Sequence, residues 1–263
     1  MDLDKVMKFV SEMVQKEAEI LTIDQDIKII KVKDKEKIDI QTDIEHILEE
    51  RFYSILVETF PEVGFEMEDS PLVTNKHGYR WVIDVIDGTK YFFYKIPLFS
   101  MSVALVLNDK PVLGVIYNPI SKQLYTGSIV QSAQLNGVAT KIKEVHNLNE
   151  VMLNVDISKH GDGWDEIKSW VLNKLHILVD ITYRVRMFGV GALSLAWLGS
   201  GSLVNGYVSL TDNIKFVDVA AGLAICEAAG ARVIYFNHPV SGKPCYIVAC
   251  PTIADQLARI ILN

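Results

Sequence analysis

Cysteine and long apolar runs are both scarce in this sequence, and each absence narrows what the chain can be. Only 3 of the 263 residues are cysteine, and they form no Cys-x-x-Cys pair. Neither a disulfide framework nor a zinc site is therefore indicated, and we interpret Cys226, Cys245 and Cys250 as small buried side chains in a reducing compartment. No apolar run is long enough to cross a bilayer, and the opening residues lack the apolar core of a signal peptide. The sequence predicts a cytoplasmic protein that does not contact a membrane.

Positive charge is scarce as well. The chain has 26 Lys and Arg residues against 33 Asp and Glu residues, which gives a formal net charge of −7. Proteins that bind nucleic acid rely on Lys and Arg to neutralise phosphates. The composition therefore argues against a nucleic-acid partner, and any phosphate site in this chain has to be local.

Helix and strand signals alternate along the whole chain, without repeats or low-complexity segments. In the first half we predict a helix over 2–21, a hairpin of 27–33 and 38–40, a helix over 43–59, and antiparallel strands at 99–107, 111–117 and 123–128. In the second half we predict strands at 151–155, 181–187, 203–208, 231–236 and 245–249, and helices at 164–175, 190–199, 217–229 and 251–262. The sequence therefore predicts an α+β half over 1–148 and an α/β half over 149–263, packed as one compact unit.

The most informative segment is an apolar strand, Trp81 to Thr89, that ends in two carboxylates, a glycine and a hydroxyl. Acids at the buried end of a strand need a cation, a proton or a ligand to compensate their charge. Asp84 and Asp87 could share a hard cation such as Mg²⁺, and Gly88 lets the backbone approach an anion. The segment therefore predicts a site that handles phosphate.

Three other acidic segments have simple structural interpretations when each is taken alone. Asp218 begins a helix of small apolar residues and could cap it. Glu68 lies in an acidic segment typical of a solvated loop. Thr42 or Asp43 could cap the second helix. The N-terminus of a helix also binds anions, however, so together with the strand motif Asp218 favours a ligand site.

In this order the acidic segments resemble the inositol monophosphatase superfamily, a group of Mg²⁺-dependent, lithium-sensitive phosphomonoesterases. The matching motifs are Asp39-x-x-Thr42-Asp43, Glu68-Asp69-Ser70, Trp81-x-x-Asp84-x-x-Asp87-Gly88-Thr89 and Asp218-x-Ala220-Ala221-Gly222, and the resemblance covers nearly the whole chain. It implies a layered α-β-α-β-α sandwich, a homodimer, and a small phosphorylated polyol or sugar as substrate.

The resemblance also implies a site with two or three Mg²⁺ ions. The implied metal ligands are Glu68, Asp84, Asp87, Asp218 and the carbonyl oxygen of Ile86; the implied catalytic residues are Asp43, Glu68 and Thr89; the implied substrate contacts are Asp87, Gly88, Thr89, Gly191, Ser209 and Asp212. Thr89, polarised by Asp43, would hydrogen-bond the attacking water, with Glu68 as a proton acceptor. The amides of Gly88 and Thr89 would receive the phosphate. The lysine-rich residues 31–37 would lie near the site and could serve as a lid.

Departures from the family pattern bear on the substrate. Val85 stands where proline is common, and Val217 stands where tryptophan is usual. Inositol-specific members carry a glutamate that binds ring hydroxyls, and here Ser209 or Thr211 falls nearest to it, with Asp212 beside them. The resemblance therefore favours inositol-1-phosphate or a sugar phosphate such as fructose-1,6-bisphosphate, without strict inositol specificity.

Two alternatives remain open, and a third is disfavoured. Lys90 directly after Gly88-Thr89 resembles the 3′(2′),5′-bisphosphate nucleotidase branch, which hydrolyses 3′-phosphoadenosine 5′-phosphate. A non-catalytic binding homologue is the other alternative, although every implied side-chain ligand is present. A haloacid-dehalogenase-type phosphatase is disfavoured because two residues, rather than one, separate Asp84 from Asp87.

Overall fold

The structure is a computed structural model that describes residues 1–22, 26–33, 40–68, 70–73, 78–157, 163–211 and 214–263. Its helices are α1 (Leu3–Glu17), α2 (Asp43–Thr59), α3 (Thr89–Phe93), α4 (Trp164–Ile181), α5 (Gly191–Gly199), α6 (Phe216–Ala228) and α7 (Pro251–Ile261). Its strands are β1 (Ile29–Val32), β2 (Ile40–Thr42), β3 (Gly64–Met67), β4 (Ser70–Val73), β5 (Tyr79–Asp87), β6 (Ser100–Leu107), β7 (Lys110–Asn118), β8 (Gln123–Ser128), β9 (Gln134–Leu135), β10 (Val138–Ala139), β11 (Met152–Asp156), β12 (Arg184–Arg186), β13 (Gly206–Ser209), β14 (Arg232–Asn237) and β15 (Pro244–Ala249).

Within the described residues the first sheet has the strand order β10-β9-β8-β7-β6-β5-β3-β4. The strands predicted at 99–107, 111–117 and 123–128 correspond to β6, β7 and β8, which pair antiparallel as predicted, and β5 also pairs antiparallel with β6. Strand β3, which the sequence did not predict, pairs with β5 in parallel. The interpretation of this acidic segment as a solvated loop is wrong for its first residues, because Phe65 and Met67 are buried on either side of the less buried Glu66. That alternation is the normal signature of a strand.

Alternate residues of the central strands face two different helix layers. Trp81, Ile83 and Val103 pack in a core that includes α1 and α2. Val82 and Ala104, one step along the same strands, pack instead in the core that contains α5 and α6. Because both faces of this sheet are covered, its strands are almost continuously apolar.

The second sheet closes the other side of the α5 and α6 layer. Among the described strands its order is β12-β11-β13-β15-β14, with β11 parallel to both β12 and β13 and the remaining pairs antiparallel. Helices α4 and α7 pack against this sheet and share its core. The architecture is the layered α-β-α-β-α sandwich, so the predicted fold class is confirmed.

One core joins the two predicted halves of the chain. Helix α6, from the second half, contacts β5, β6, β7 and β8 of the first half as well as β14 of its own. The described strands of the first sheet end at Ala139, and those of the second begin at Met152. The predicted boundary at 148–149 falls between these positions, but as a domain boundary it stays a prediction.

Most predicted elements are observed, with shifts at their ends. Helix α2 spans the predicted residues, whereas α4 continues to Ile181, beyond its predicted end at 175. Strands β1 and β2 pair antiparallel as the predicted hairpin requires, but residues 34–39, which include most of the predicted lid, lie outside the described residues. In the part of the chain that the structure describes, no helix combines the length and apolarity needed to span a membrane.

Close contact between β7 and α6 yields a test of this packing. Gly114 lies where the two elements touch, and a Cβ at this position would overlap the carbonyl oxygen of Ala221. We expect Gly114→Ala to lower the free energy of unfolding by about 1–3 kcal/mol, because the overlap is with backbone that cannot rotate away. Urea denaturation measures this change. The matched control is Gly163→Ala, whose Cβ would meet nothing within 4 Å; equal midpoints for both variants would contradict the packing.

Candidate metal centre

A bulge at the end of β5 brings the two acids of the strand motif to one side of the sheet. Side chains three residues apart on a regular strand point to opposite faces. Here Asp84 pairs with Ser102 and Asp87 with Ser100, so three steps along β5 match only two along β6. The extra residue restores a common face. Both acids are almost fully buried, with exposures of 4% and 6%.

Backbone amides hold one oxygen of each buried acid in place. Asp84 Oδ1 accepts a hydrogen bond from the amide of Ile86 at 3.0 Å, within the same turn. Asp87 Oδ2 accepts from the amide of Ala192 at 2.9 Å, in the first turn of α5. Asp218 belongs to the first turn of α6, and its Oδ2 accepts from the amide of Lys215 at 3.2 Å. The two helix N-termini and the end of β5 therefore meet at one point.

Burial and mutual repulsion make these carboxylates hard to ionise. Burial first, and then the charges of Glu68, Asp87 and Asp218, raise the pKa of Asp84 well above its usual value. Burial and the charge of Asp218 do the same to the pKa of Asp87. Burial and the charge of Glu68 raise the pKa of Asp218 to about 7. A cation placed among them would relieve both effects.

Glu68 is compensated differently, by two lysines. Its Oε1 accepts hydrogen bonds from Lys33 Nζ at 3.1 Å and from Lys215 Nζ at 2.8 Å. The side chains of Lys33 and Glu68 are only 9% and 16% exposed. Burial alone would raise the pKa of Glu68, but the two ammonium groups outweigh it and hold this pKa below its usual value.

The donor set fits Mg²⁺ chemically, although it is not a preassembled cage. No group of three or more acidic, histidine or cysteine side chains in the described ranges converges closely enough to hold a metal ion as it stands. The charges of Glu68, Asp87 and Asp218 nevertheless contribute to the raised pKa of Asp84, so these four carboxylates interact with one another. Each of these carboxylates has an oxygen that accepts a hydrogen bond from a backbone amide or a lysine. Oxygen donors with surplus negative charge are what a hard divalent cation requires.

Glu45, rather than Asp43, is the partner of Thr89, and our prediction of an Asp43–Thr89 pair is wrong. The Thr89 hydroxyl donates to Glu45 Oε1 at 2.7 Å. Glu45 is buried, and its Oε2 accepts from the amide and the hydroxyl of Thr42 at 2.7 and 2.8 Å. Asp43 turns away, because its Oδ1 accepts from the amides of Lys28 and Ile44.

A sequence signal for Glu45 was present. Thr42-x-x-Glu45 has the spacing of a capping box, in which the third helical residue points back over the N-terminus of the helix. In α2 that direction leads to Thr89, so one carboxylate both caps the helix and binds the threonine.

The other predicted site residues have different placements. The carbonyl oxygen of Ile86 accepts from the Thr89 hydroxyl at 3.2 Å, and Gly88 turns the chain from β5 into α3 with a φ of 93°. Gly191 begins α5 beside Asp218, where a Cβ would lie 3.0 Å from the Asp218 carbonyl oxygen. Asp212 lies outside the described residues.

The prediction that Ser209 contacts substrate needs correction. This residue is fully buried at the end of β13. Its Oγ accepts a hydrogen bond from the amide of Tyr246 at 2.6 Å. The hydroxyl therefore satisfies a backbone group of the neighbouring strand β15, and it is not available to a substrate.

Sequence reasoning also missed Asp156, which lies at the end of β11. Its Oδ2 accepts a hydrogen bond from the hydroxyl of Tyr207 at 3.2 Å. Its charge contributes to the raised pKa values of Asp87 and Asp218, so it lies near both. Because this neighbourhood depends on how β11 pairs with β13, no local motif in the sequence could have revealed it.

Comparison with known proteins agrees with this geometry. The family model described as "Inositol monophosphatase family" matches residues 2–261. The chain is 29% identical to human inositol monophosphatase 2, over 85% of this chain and 76% of that protein. It is 27% identical to the fructose-1,6-bisphosphatase/inositol-1-monophosphatase of Aquifex aeolicus, over 79% of this chain and 76% of that protein. The crystal structure of the extragenic suppressor protein suhB from Bartonella henselae superposes with a TM-score of 0.85 at 26% identity, covering 98% of both chains.

The chain belongs to the inositol monophosphatase family. It is accordingly a phosphoric monoester hydrolase, of a family that is generally metal-dependent and acts on phosphorylated sugars and polyols. Residues 2–261 include both sheets and all the acids described above, so the family match and the candidate site coincide.

The raised pKa of Asp218 predicts how stability varies with pH. An acid with a pKa of about 7 in the folded state and near 3.8 in the unfolded state holds its proton longer when folded. Stability without divalent cations should therefore fall as the pH rises from about 4 to 7. We expect Asp218→Asn to reduce this slope and to raise the free energy of unfolding by about 1–2 kcal/mol at pH 8 in EDTA.

Urea denaturation between pH 4 and 8 measures this effect. Asp180→Asn, which changes an exposed carboxylate of α4, serves as the control. If the free energy of unfolding varied with pH in the same way for the wild type and for Asp218→Asn, the neighbouring carboxylates would not be destabilising the ionised form of Asp218.

Proposed function

We propose that the protein is a Mg²⁺-dependent phosphatase that hydrolyses monoesters of small polyols or sugars, such as inositol-1-phosphate, by direct in-line attack of water on phosphorus. The observation that carries this proposal is the group of buried carboxylates with raised pKa values directly beside the Thr89–Glu45 pair. A bound cation would stabilise the ionised form of these carboxylates, and the Thr89–Glu45 pair can orient a water molecule. Together they provide the two functions that phosphate monoester hydrolysis needs.

Four acids and one carbonyl oxygen would hold the metal. They are Glu68, Asp84, Asp87, Asp218 and the backbone of Ile86. Bound Mg²⁺ would supply positive charge that lowers the pKa of water and stabilises the charge that develops during phosphoryl transfer. The lysines that contact Glu68 would have to share or release it, since its Oε1 already accepts two hydrogen bonds.

Thr89 and Glu45 would orient the attacking water. The Thr89 hydroxyl donates its hydrogen bond to Glu45, so the lone pairs of Thr89 Oγ1 can accept a hydrogen bond from water. Thr89 is partly exposed, whereas Glu45 is buried and fixed from its other side by Thr42. Thr89 can therefore contact a water molecule while Glu45 keeps the threonine side chain in a fixed orientation. The amides at the turn formed by Gly88 and Thr89 would receive phosphate oxygens.

The substrate class follows from the relatives as well as from the site. One relative is called an inositol monophosphatase, and another is called both a fructose-1,6-bisphosphatase and an inositol-1-monophosphatase. Initial rates of phosphate release from inositol-1-phosphate, fructose-1,6-bisphosphate and 3′-phosphoadenosine 5′-phosphate, with Mg²⁺ and with EDTA, test the proposal. We expect Mg²⁺-dependent turnover with the highest kcat/KM on a polyol or sugar phosphate. A clear preference for the nucleotide would favour the alternative branch, and inactivity on all three would overturn the proposal.

A substitution at Asp84 tests the metal assignment. We expect Asp84→Asn to lower kcat by at least about 10³-fold, because removing a buried ligand charge weakens the hold on the cation. Calorimetric titration with Mg²⁺ should show weakened binding, while circular dichroism stays that of the wild type. Undiminished Mg²⁺ affinity in a folded Asp84→Asn protein would exclude this residue as a ligand.

A matched pair of variants separates Glu45 from Asp43. We expect Glu45→Gln to reduce kcat by about 10²–10³-fold with little change in KM, since the threonine hydroxyl loses its anionic acceptor. Asp43→Asn should change kcat by less than about threefold, because the hydrogen bonds that Asp43 accepts within the described residues come from backbone amides rather than from Thr89. Steady-state kinetics on one substrate decide between them, and a larger loss for Asp43→Asn would restore the sequence-based assignment.

A further inference from the structure

Two serines of β6 lie directly opposite the two buried acids of β5. The strand register pairs Ser102 with Asp84 and Ser100 with Asp87. Directly opposed residues of antiparallel strands have their Cβ atoms about 4.5–5.5 Å apart. The remaining residues of β6 are all apolar, so the polar side chains of this strand stand only where the acids are. Each acid therefore has a hydroxyl-bearing neighbour on the next strand.

Both serines point toward the helix layer that borders the metal centre. Ala104, two residues beyond Ser102, packs in the core that contains α5 and α6, whereas Val103 packs on the opposite side of the sheet. Side chains two residues apart on a strand share a face, so Ser100 and Ser102 point the same way as Ala104. Asp87 faces this side as well, because it accepts a hydrogen bond from an amide in the first turn of α5. The serines and the acids therefore border the same space.

The two hydroxyls are buried, and their hydrogen bonds are unaccounted for. Ser100 and Ser102 both have an exposure of 0%. Neither hydroxyl has a hydrogen-bond partner among the residues that the structure describes. A buried hydroxyl of this kind is unfavourable for folding, because it loses its hydrogen bonds to water and gains none in return. Their position beside the acids therefore indicates a role in the centre rather than in the fold.

The acids can supply the acceptors that these hydroxyls need. Asp84 accepts a backbone amide on Oδ1, and Asp87 accepts one on Oδ2. An ionised carboxylate accepts hydrogen bonds through both of its oxygens and donates none. A serine hydroxyl changes position by rotation about χ1, without any movement of the backbone. The serines can therefore donate to the aspartates opposite them and hold the two carboxylates in a fixed orientation.

We propose that Ser102 and Ser100 are positioning residues that donate hydrogen bonds to Asp84 and Asp87 and hold these carboxylates in the orientation that binds Mg²⁺. The inference rests on the proposed function, because it takes the two aspartates as metal ligands. Hydrogen bonds to the ligands of a metal orient them and raise the affinity for the metal. The serines act through the aspartates, and neither serine contacts the substrate.

Alanine variants separate this role from a contribution to the fold. We expect Ser102→Ala and Ser100→Ala each to raise the Kd for Mg²⁺ by about tenfold, as measured by calorimetric titration. The urea midpoint in EDTA should equal or exceed that of the wild type, because alanine removes a buried hydroxyl with no partner among the described residues. At saturating Mg²⁺ the kcat on inositol-1-phosphate should return to within about threefold of the wild-type value, since excess metal fills the weakened site.

Thr182→Val is the matched control. The Thr182 hydroxyl is also buried, but it donates to the carbonyl oxygen of Leu178 at 2.7 Å, at the end of α4 in an outer helix layer. Removing this hydroxyl should leave the Kd for Mg²⁺ at the wild-type value.

Metal affinity and stability together decide the outcome. An unchanged Kd for Mg²⁺ would overturn the role of the serine concerned and leave the proposed function intact. A raised Kd together with a lower urea midpoint in EDTA would also overturn the role, because the serine would then be supporting the fold. If the wild type itself binds no Mg²⁺, the proposed function and the role of the serines both fail.

Discussion

Repulsion among buried carboxylates is the constraint on which the rest of this structure depends. Asp84, Asp87 and Asp218 share a space where burial already disfavours their charge, and each one raises the cost of ionising another. Three amide hydrogen bonds hold the side chains in place, but the bonds do not remove the repulsion. Close packing of the surrounding helices therefore has to keep the acids together. Gly222 of α6, for example, leaves no room for a Cβ against Leu195 of α5.

The same constraint explains why the two halves of the chain share a core. Asp87 comes from a strand of the first sheet, and Asp218 comes from a helix that follows several strands of the second. Helix α6 can bring them together only because it packs on β5 through β8 while also contacting β14. Loosening either sheet would therefore move a ligand. A site assembled from distant parts of a sequence needs this kind of rigid central layer.

Sequence reasoning succeeded where the signal was local and failed where it depended on pairing. The apolar strand ending in acids and the bounds of α2 follow from periodicity and capping residues near in sequence. The bulge that aligns Asp84 with Asp87 exists only relative to β6, and the position of Asp156 depends on β13. Thr42-Asp43 and Thr42-x-x-Glu45 were competing local patterns. Only the position of Thr89 in space decides between them, in favour of Glu45.

The charges of the centre are distributed unevenly, and this determines where a cation is needed most. Lys33 and Lys215 hold the pKa of Glu68 below its usual value. Lys215 also lowers the pKa of Asp218, but burial and the charge of Glu68 outweigh this effect. The pKa values of Asp84 and Asp87 lie well above their usual values. A bound cation should therefore have its most favourable electrostatic interaction beside the aspartates and its least favourable one beside Glu68. Because those aspartates must lose protons to bind it, metal affinity should strengthen with rising pH.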